Sequence, residues 1–384
     1  MGEILVIIWA LVMNRQTALN SIMTLRKPNT ELRKGWTTGA CATAATAAAF
    51  RALHTGAFQP TVQITLPKGQ TPRFELVQQK LTDGSAIASV IKDAGDDPDV
   101  THEAEIVAEV RLSRRQTGVR FFAGNGVGTV TLPGLPLAVG EPAINPGPRS
   151  MIEAAIHDIC TDLGVGGDVD VTISIPGGEQ LALKTMNGRL GIKGGLSVLG
   201  TTGVVIPYSC SSWIHSIHRG VDVAKAQGIT HIAAATGSTS EAAIAKHYQL
   251  VDQALIDMGD FAGGLLKYIR KQPIEHLTIA GGFGKLSKLA QGHLDLHSSR
   301  SALDLNDLAD RAKTAGASDL LCRQIRSANT GMEVLTLCTN AQIPIADVMA
   351  RGAREVAMAT LSGGTVIDVM IYDRQGQLVG RHDG

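Results

Sequence analysis

Near residue 200 the rhythm of the sequence changes. Beyond it, short apolar runs alternate with amphipathic ones. "SSWIHSIHRGVDVAKAQG" reads as helix, "HIAAAT" (231–236) as a short buried strand, "SEAAIAKHY" as helix, "QALIDM" as strand, "FAGGLLKYIRK" as helix and "HLTIAGG" as strand. Strands alternating with helices bury both faces most readily in a parallel sheet covered on each side. The closing pair "VIDVMIYD" and "QLVGR" completes such a sheet. Before residue 200 the pattern differs. "TTGACATAATAAAFRAL" (37–53) is dense in alanine, the best helix former, with a Thr at the cap position, and is expected to be a buried helix. Strand-like runs follow, "TVQITLP", "RFELVQ", "AIASVI", "EIVAEVRL", "VRFF" and "GTVTL", with "GNG" (124–126) expected as a hairpin turn. "PGPRSMIEAAIHDIC" then starts a helix with Pro148 near its first turn, and "DVDVTISIP" returns to a strand.

The expected architecture is an α+β N-terminal domain, residues 26–200, followed by an α/β C-terminal domain with a parallel sheet, residues 201–384, with the Gly-rich "GRLGIKGGLSVLGTTG" (188–203) at the boundary. Residues 1–25 stand apart as an appendage. "ILVIIWALVM" (4–13) falls short of the about 20 apolar residues a spanning helix needs. Glu3 before it and Arg15 after it do not suit a secretory signal. Met23, directly before "TLRKPNTELRKGWTTG", is the expected start of translation.

With 384 residues, 44% hydrophobic and 18% charged, the chain is long enough for two packed domains and carries no disordered bias. Lys plus Arg equals Asp plus Glu at 35 each, and no cluster of bases is interleaved with aromatics. A small molecule is therefore the expected partner, rather than nucleic acid or a membrane. Cys41, Cys160, Cys210, Cys322 and Cys338 are odd in number and never paired as CxxC, which fits a reducing cytoplasm. His215 with His218, and His293 with His297, have spacings that could face one ion, but neither pair has an evident third ligand, so no metal is expected. Cys41 lies just inside a helix N-terminus, where a thiolate is favoured; the plainer reading is a small buried residue among alanines.

In parallel sheets ligands gather where strands end, because Gly-rich turns and helix N-termini offer free backbone N–H groups. Two such ends stand out: "ATGSTSE" after the strand at 231–236, and "AGGFGKLSKLAQGHLDLHS" (280–298) after the strand at 276–279. Thr236, Gly237, Glu241, Gly281, Gly282 and Gly284 are the cofactor-binding candidates. The spacings GxxxxGK[ST] and, after a strand, GxGxxG are both missing, which argues against ATP and NAD. One further stretch, "VIKDAGDDPDVTH" (90–102), sets Asp93, Asp96, Asp97 and Asp99 within seven positions and closes on His102. Asp, Gly and Pro make turns, so a turn is one reading. A cation site, a proton-transfer site and a positively charged cofactor are the others.

Six segments in order, from about residue 32 to the end, together resemble one family: "LRKGWTTGACATAA", "LPKG", "VIKDAGDDPDVTH", "GVGTVTLPGLPLAVGEPAINPGPRSMI", "GIKGGLSVLGTTGVV", and "GGFGKLSKLAQG" with "LHS". The chain resembles the CbiD family of cobalamin-biosynthesis enzymes, the cobalt-precorrin-5B C1-methyltransferases. One departure is "ATGSTSEAAI", where the family pattern is closer to a Pro-Gly-Asn turn. The resemblance implies transfer of a methyl group from S-adenosylmethionine to C1 of cobalt-precorrin-5B, giving cobalt-precorrin-6A. It also implies an α+β domain joined to a Rossmann-like one.

In that setting Asp93 and Asp96 become the catalytic candidates, one orienting a cationic cofactor or accepting a proton. Thr37, Thr38, Asp97, Asp99, His102, Glu141, Asn145, Arg149, Lys193, Thr201, Thr202, Lys285 and Lys288 become the substrate-binding candidates, with Arg149 and the three lysines on the acetate and propionate arms. Arg149 has two open readings, a substrate carboxylate or Glu153 four residues on. Other readings of the whole chain are methylation of the metal-free precorrin, a non-catalytic tetrapyrrole carrier and a binder of some other nucleotide. A homo-oligomer is compatible with all of them.

Overall fold

Thr37 ends a two-residue strand, β1 (Gly35–Trp36), and starts the central helix of the N-terminal half. Its Oγ1 accepts a hydrogen bond from the Ala40 N–H at 3.2 Å, and α1 (Thr38–Thr55) runs on until Gly56, at φ 77 in the left-handed region, closes it. Every residue from Thr38 to Phe50 is buried. A helix hidden on all sides needs small side chains, which is what the alanine run supplies. The computed structural model describes residues 32–113, 116–361 and 363–384, so the appendage at 1–25 and the start at Met23 lie outside the described residues.

Around α1 the chain adds β2 (Thr61–Gln63), β3 (Arg73–Glu75), β4 (Gln79–Thr82), β5 (Ser85–Ile91), β6 (Glu105–Leu112), β7 (Val119–Ala123), β8 (Thr129–Val130), α2 (Pro146–Leu163), β9 (Val169–Ser174), α3 (Gly178–Ala182), β10 (Ile192–Lys193) and β11 (Val204–Val205). The main sheet has the order β4-β5-β6-β9-β7. Alternate residues Ala86, Ala88 and Val90, Ile106, Ala108 and Val110, and Val169, Val171 and Ile173 are wholly buried in one core with α1 and α2.

The expected hairpin at "GNG" is not there. β7 lies parallel to β9, and β8 pairs with β10. The Gly124 N–H donates to Ile173 O and the Ile175 N–H to Asn125 O, so the chain runs on beside β9 instead of reversing. Gly126 is glycine because its φ is 74 and a Cβ there would lie 1.9 Å from Ile175 O.

From Cys210 onward the elements are α4 (Cys210–Ala226), β12 (His231–Ala235), α5 (Ser238–Tyr248), a 3-10 turn (Asp252–Ala254), β13 (Leu255–Asp257), α6 (Ala262–Ile269), β14 (His276–Gly282), α7 (Phe283–Ala290), α8 (Leu305–Thr314), α9 (Asp319–Arg326), α10 (Gly331–Asn340), α11 (Ile345–Leu361), β15 (Val366–Tyr372) and β16 (Leu378–His382). The sheet order is β13-β12-β14-β15-β16, parallel except for β16. "QALIDM" yields a strand only at its end, because Asp252–Ala254 form the 3-10 turn first. The apolar runs of β12, β14 and β15 are buried on both faces, as parallel strands require. The chain is thus a mixed α/β protein of two compact units, one ending at Ser209 and one spanning Cys210–Gly384. Among the described residues no helix is long and apolar enough to cross a membrane.

The amino ends of the parallel strands carry a polar cluster around His231 and His276. The His231 ring stacks on His276 at 3.9 Å between centroids, and its Nε2 meets Thr278 Oγ1 at 2.8 Å. The Asp368 Oδ2 accepts from Tyr248 OH at 3.0 Å and lies 2.6 Å from His276 Nε2. Burial, and then the neighbouring His276, lower the His231 pKa to about 4. The unfolded chain takes up this proton near pH 6.5, so the stability of the neutral ring is complete above that pH and is lost as pH falls from 6.5 toward 4. After allowance for partial exposure, His231→Phe is expected to remove about 1 kcal/mol of the stability difference between pH 7 and pH 5. Urea midpoints at the two pH values check this; an unchanged difference places the acid sensitivity elsewhere.

Candidate active site

Segments far apart in sequence meet at the amino end of α1. β1 pairs with β11 through Gly35 with Val205 and Trp36 with Val204. On its other side the Trp36 N–H donates to Asp93 O at 2.7 Å, and the Asp96 N–H donates to Arg33 O at 3.0 Å. Two glycines allow this contact of backbone on backbone. A Cβ on Gly35 would lie 2.0 Å from the Ala94 carbonyl carbon, and one on Gly95, at φ 70, would lie 2.2 Å from Arg33 O.

The four aspartates of the acidic loop have four different settings. The Arg33 guanidinium grips Asp93 with both terminal nitrogens, and the Arg33 N–H donates to Asp96 Oδ2 at 2.7 Å. The guanidinium hydrogen bonds hold Asp93 below the usual carboxylate range. Lys92, only 1% exposed, donates to Asp99 Oδ2 at 2.8 Å, while the N–H and hydroxyl of Thr101 donate to Asp99 Oδ1 at 2.8 and 2.6 Å. Burial pushes Asp99 up, but the Lys92 charge and the hydrogen bonds from Lys92 and Thr101 together outweigh it, and the carboxyl titrates low. Asp97 is raised. Burial drives the change, and the Tyr208 N–H, donating to Oδ1 at 2.8 Å, offsets only part of it. Tyr208 sits at φ 57 to make that bond. His102 is exposed and accepts from the Ala94 N–H at 3.1 Å. Cys41 is wholly buried and its thiol is pushed up to about 12 by burial, which removes it as a nucleophile.

The 141–149 and 199–203 segments join the same place. The Thr37 N–H donates to Gly203 O and the Gly39 N–H to Leu199 O. Thr37 and Thr38 are buried, Thr201 is exposed, and the Thr202 hydroxyl is turned onto Val204. Asn145 donates from both its backbone N and its Nδ2 to Val198 O. Arg149 pairs with Glu141, not Glu153: Nη2 donates to Glu141 Oε2 at 2.7 Å, Nε donates to Ile144 O at 2.8 Å, and the guanidinium lies 5.2 Å from the Phe121 ring centre. Lys193 is exposed on β10, level with Thr129 of β8.

The second unit brings three strand ends together. Ala235 is level with Asp257 on one side and with Ala280 on the other. Lys285 crosses them, its Nζ donating to Thr236 O at 2.9 Å and lying 3.0 Å from Oδ1 of the buried Asp260. Lys288 donates to Leu296 O at 3.1 Å, and burial lowers its pKa. Both lysines, expected on substrate carboxylates, are bound to groups of their own unit. Gly281 is glycine because a Cβ would lie 2.7 Å from Thr236 Oγ1. Gly237, at φ 171, and Gly282, at φ −75, have ordinary backbone conformations, and a Cβ on either, or on Gly284, would meet nothing within 4 Å. These edges are open to an incoming molecule. Glu241 is in the first turn of α5, which Gly237 precedes. His218 stacks on Tyr268 at 3.9 Å, and among the described residues no group of three His, Cys, Asp or Glu side chains gathers as a metal site.

Arg33, Lys92, Tyr208 and Asp260 are the residues that reading the sequence overlooked. Lys92 has a local signal, a charge ending an apolar strand, and Arg33 lies within "LRKGWTTGACATAA". Tyr208 and Asp260 have none.

Residues 25–207 match the CbiD family and residues 295–383 match the CbiD C-terminal domain. A Brucella anthropi protein called cobalt-precorrin-5B C(1)-methyltransferase is 56% identical over 352 residues, covering 91% of this chain and 96% of its own. A Bradyrhizobium protein of the same name is 55% identical over 354 residues, covering 92% and 94%. The crystal structure of a cobalamin biosynthesis protein, CbiD, from Archaeoglobus fulgidus matches with 28% identity and a TM-score of 0.39 over 70% of this chain and 83% of that one. The chain therefore belongs to the CbiD family.

Proposed function

We propose that this protein is an S-adenosylmethionine-dependent methyltransferase acting on C1 of cobalt-precorrin-5B to give cobalt-precorrin-6A. The observation that carries the reading is the 56% identity, over 91% of the chain, to a protein of that name. When bound, S-adenosylmethionine supplies an electrophilic methyl group; the polypeptide has to align the partners, exclude water and manage protons and substrate carboxylates. The open backbone edges at Gly237, Gly282 and Gly284 fit such a donor, in a Rossmann-like use of the second unit. In the first unit Asp97 is the carboxylate suited to accept a proton, since burial raises it and Oδ1 is already anchored. Asp93 and Asp96, through Arg33, hold the loop that presents it.

Arg149 uses Nε and Nη2 on its own segment, and its Nη1 makes none of these bonds. A substrate carboxylate can take that nitrogen. Arg149→Lys is accordingly expected to weaken tetrapyrrole binding about tenfold, on the scale of one charge-assisted hydrogen bond, and to leave S-adenosylhomocysteine affinity unchanged. Calorimetric titration with each ligand checks it, and unaltered tetrapyrrole affinity removes Arg149 from the site. The reading as a whole is tested by incubating the protein with methyl-labelled S-adenosylmethionine and cobalt-precorrin-5B. Label in the ring is expected; a bound but unlabelled tetrapyrrole makes the protein a carrier.

A further inference from the structure

The pair Asp260 and Lys285 is placed where a structural ion pair is hard to justify. Asp260 is 7% exposed, and its Oδ1 has no hydrogen bond of acceptable geometry although Lys285 Nζ is 3.0 Å away. Taking the Asp260 carboxylate out of water is repaid only when its lone pairs are satisfied, and Oδ1 is not, while the Lys285 side chain stays 31% exposed. Lys285 has three donors and spends one on Thr236 O. The pair stands at the carboxyl ends of β12, β13 and β14, beside backbone edges at Gly237 and Gly282 that a Cβ would leave uncrowded. One fixed negative and one fixed positive charge, each with capacity left over, complement a ligand that carries one of each.

We propose that Asp260 and Lys285 hold the zwitterionic amino-acid end of the methyl donor, Asp260 taking its α-ammonium group and Lys285 its α-carboxylate. The inference rests on the donor assignment above. It makes both residues positioning groups for the donor and removes Lys285 from the substrate arms. Neither group touches the methyl being transferred. Their work is to fix where the rest of the donor lies, so that the methyl can face the ring carbon.

The test compares two ligands that differ only in that end: S-adenosylhomocysteine, which has the amino-acid group, and 5′-methylthioadenosine, which lacks it. In calorimetric titration of the full chain, Asp260→Asn is expected to weaken S-adenosylhomocysteine about tenfold or more while 5′-methylthioadenosine binds as to the unaltered protein. Lys285→Gln is expected to do the same, and serves alone if Asp260→Asn lowers the melting temperature by more than a few degrees. Equal losses for both ligands mean that the pair only props up the loops, and overturn the proposal. So does an S-adenosylhomocysteine affinity that neither change moves. If the unaltered protein binds S-adenosylhomocysteine and the variants bind it equally well, the donor assignment stands and this inference falls. If the unaltered protein does not bind it, the donor assignment itself falls.

Discussion

Gly95→Ala is expected to cost the first unit about 3 kcal/mol or more and to abolish methyl transfer with it. Two effects combine. Gly95 is at φ 70, which costs about 1 kcal/mol for a residue with a Cβ even where there is room. Here there is none, since the Cβ would lie 2.2 Å from Arg33 O and 2.7 Å from the Lys34 carbonyl carbon, atoms of a backbone that is itself hydrogen-bonded to the loop. Either β1 leaves the acidic loop or the loop leaves β1. Gly35→Ala meets the same wall from the other side, with its Cβ 2.0 Å from the Ala94 carbonyl carbon. Gly164→Ala is the control: φ is 65, yet nothing lies within 4 Å, so only the conformational term of about 1 kcal/mol is expected. Urea unfolding of the three variants measures the contrast. If Gly95→Ala costs no more than Gly164→Ala, the packing of strand on loop is wrong.

Asp97→Asn should lower turnover about 100-fold, the usual contribution of a positioned acid–base group, with little change in melting temperature. Asparagine keeps an oxygen for the Tyr208 N–H and loses only the ionisable group. Asp93→Asn is expected to cost less than tenfold in rate, because its partner Arg33 is exposed and the contact is a surface one. The pH profile separates the two further. A base whose pKa burial has raised loses its active form at a higher pH than an ordinary carboxylate, so the rate falls early on the acid side. That limb should disappear in Asp97→Asn and survive in Asp93→Asn. Near-normal turnover in Asp97→Asn, or a persistent acid limb, assigns the proton to another group or to water.

What the sequence reveals and what it hides divides along the range of the interactions. α1 and the strands of the second unit are legible because alanine density and apolar runs are local properties that survive folding. The supposed hairpin at 124–126 is not, since whether β7 turns back or runs beside β9 is decided by bonds to Ile173 and Ile175, about 50 positions away. The acidic loop is visible as a cluster, but the differences among its members come from Arg33, Lys92 and Tyr208, of which only Lys92 is a neighbour in sequence. Arg149 shows a local rule losing. Spacing four apart favours Glu153, yet the turn through 141–145 brings Glu141 onto the guanidinium first. Lys285 and Lys288 likewise look like free cations in sequence, and the fold gives each a partner.

Transfer of a methyl group to C1 of the cobalt-bearing ring is tested by position-resolved labelling. The protein is incubated with S-adenosylmethionine carrying a ¹³C methyl and, in parallel, with cobalt-precorrin-5B and its metal-free counterpart; the corrinoid product is then read by ¹³C NMR. A single new methyl resonance, on C1, is expected from the cobalt-bearing substrate. A label on any other ring carbon, or a label that enters the metal-free ring alone, contradicts it.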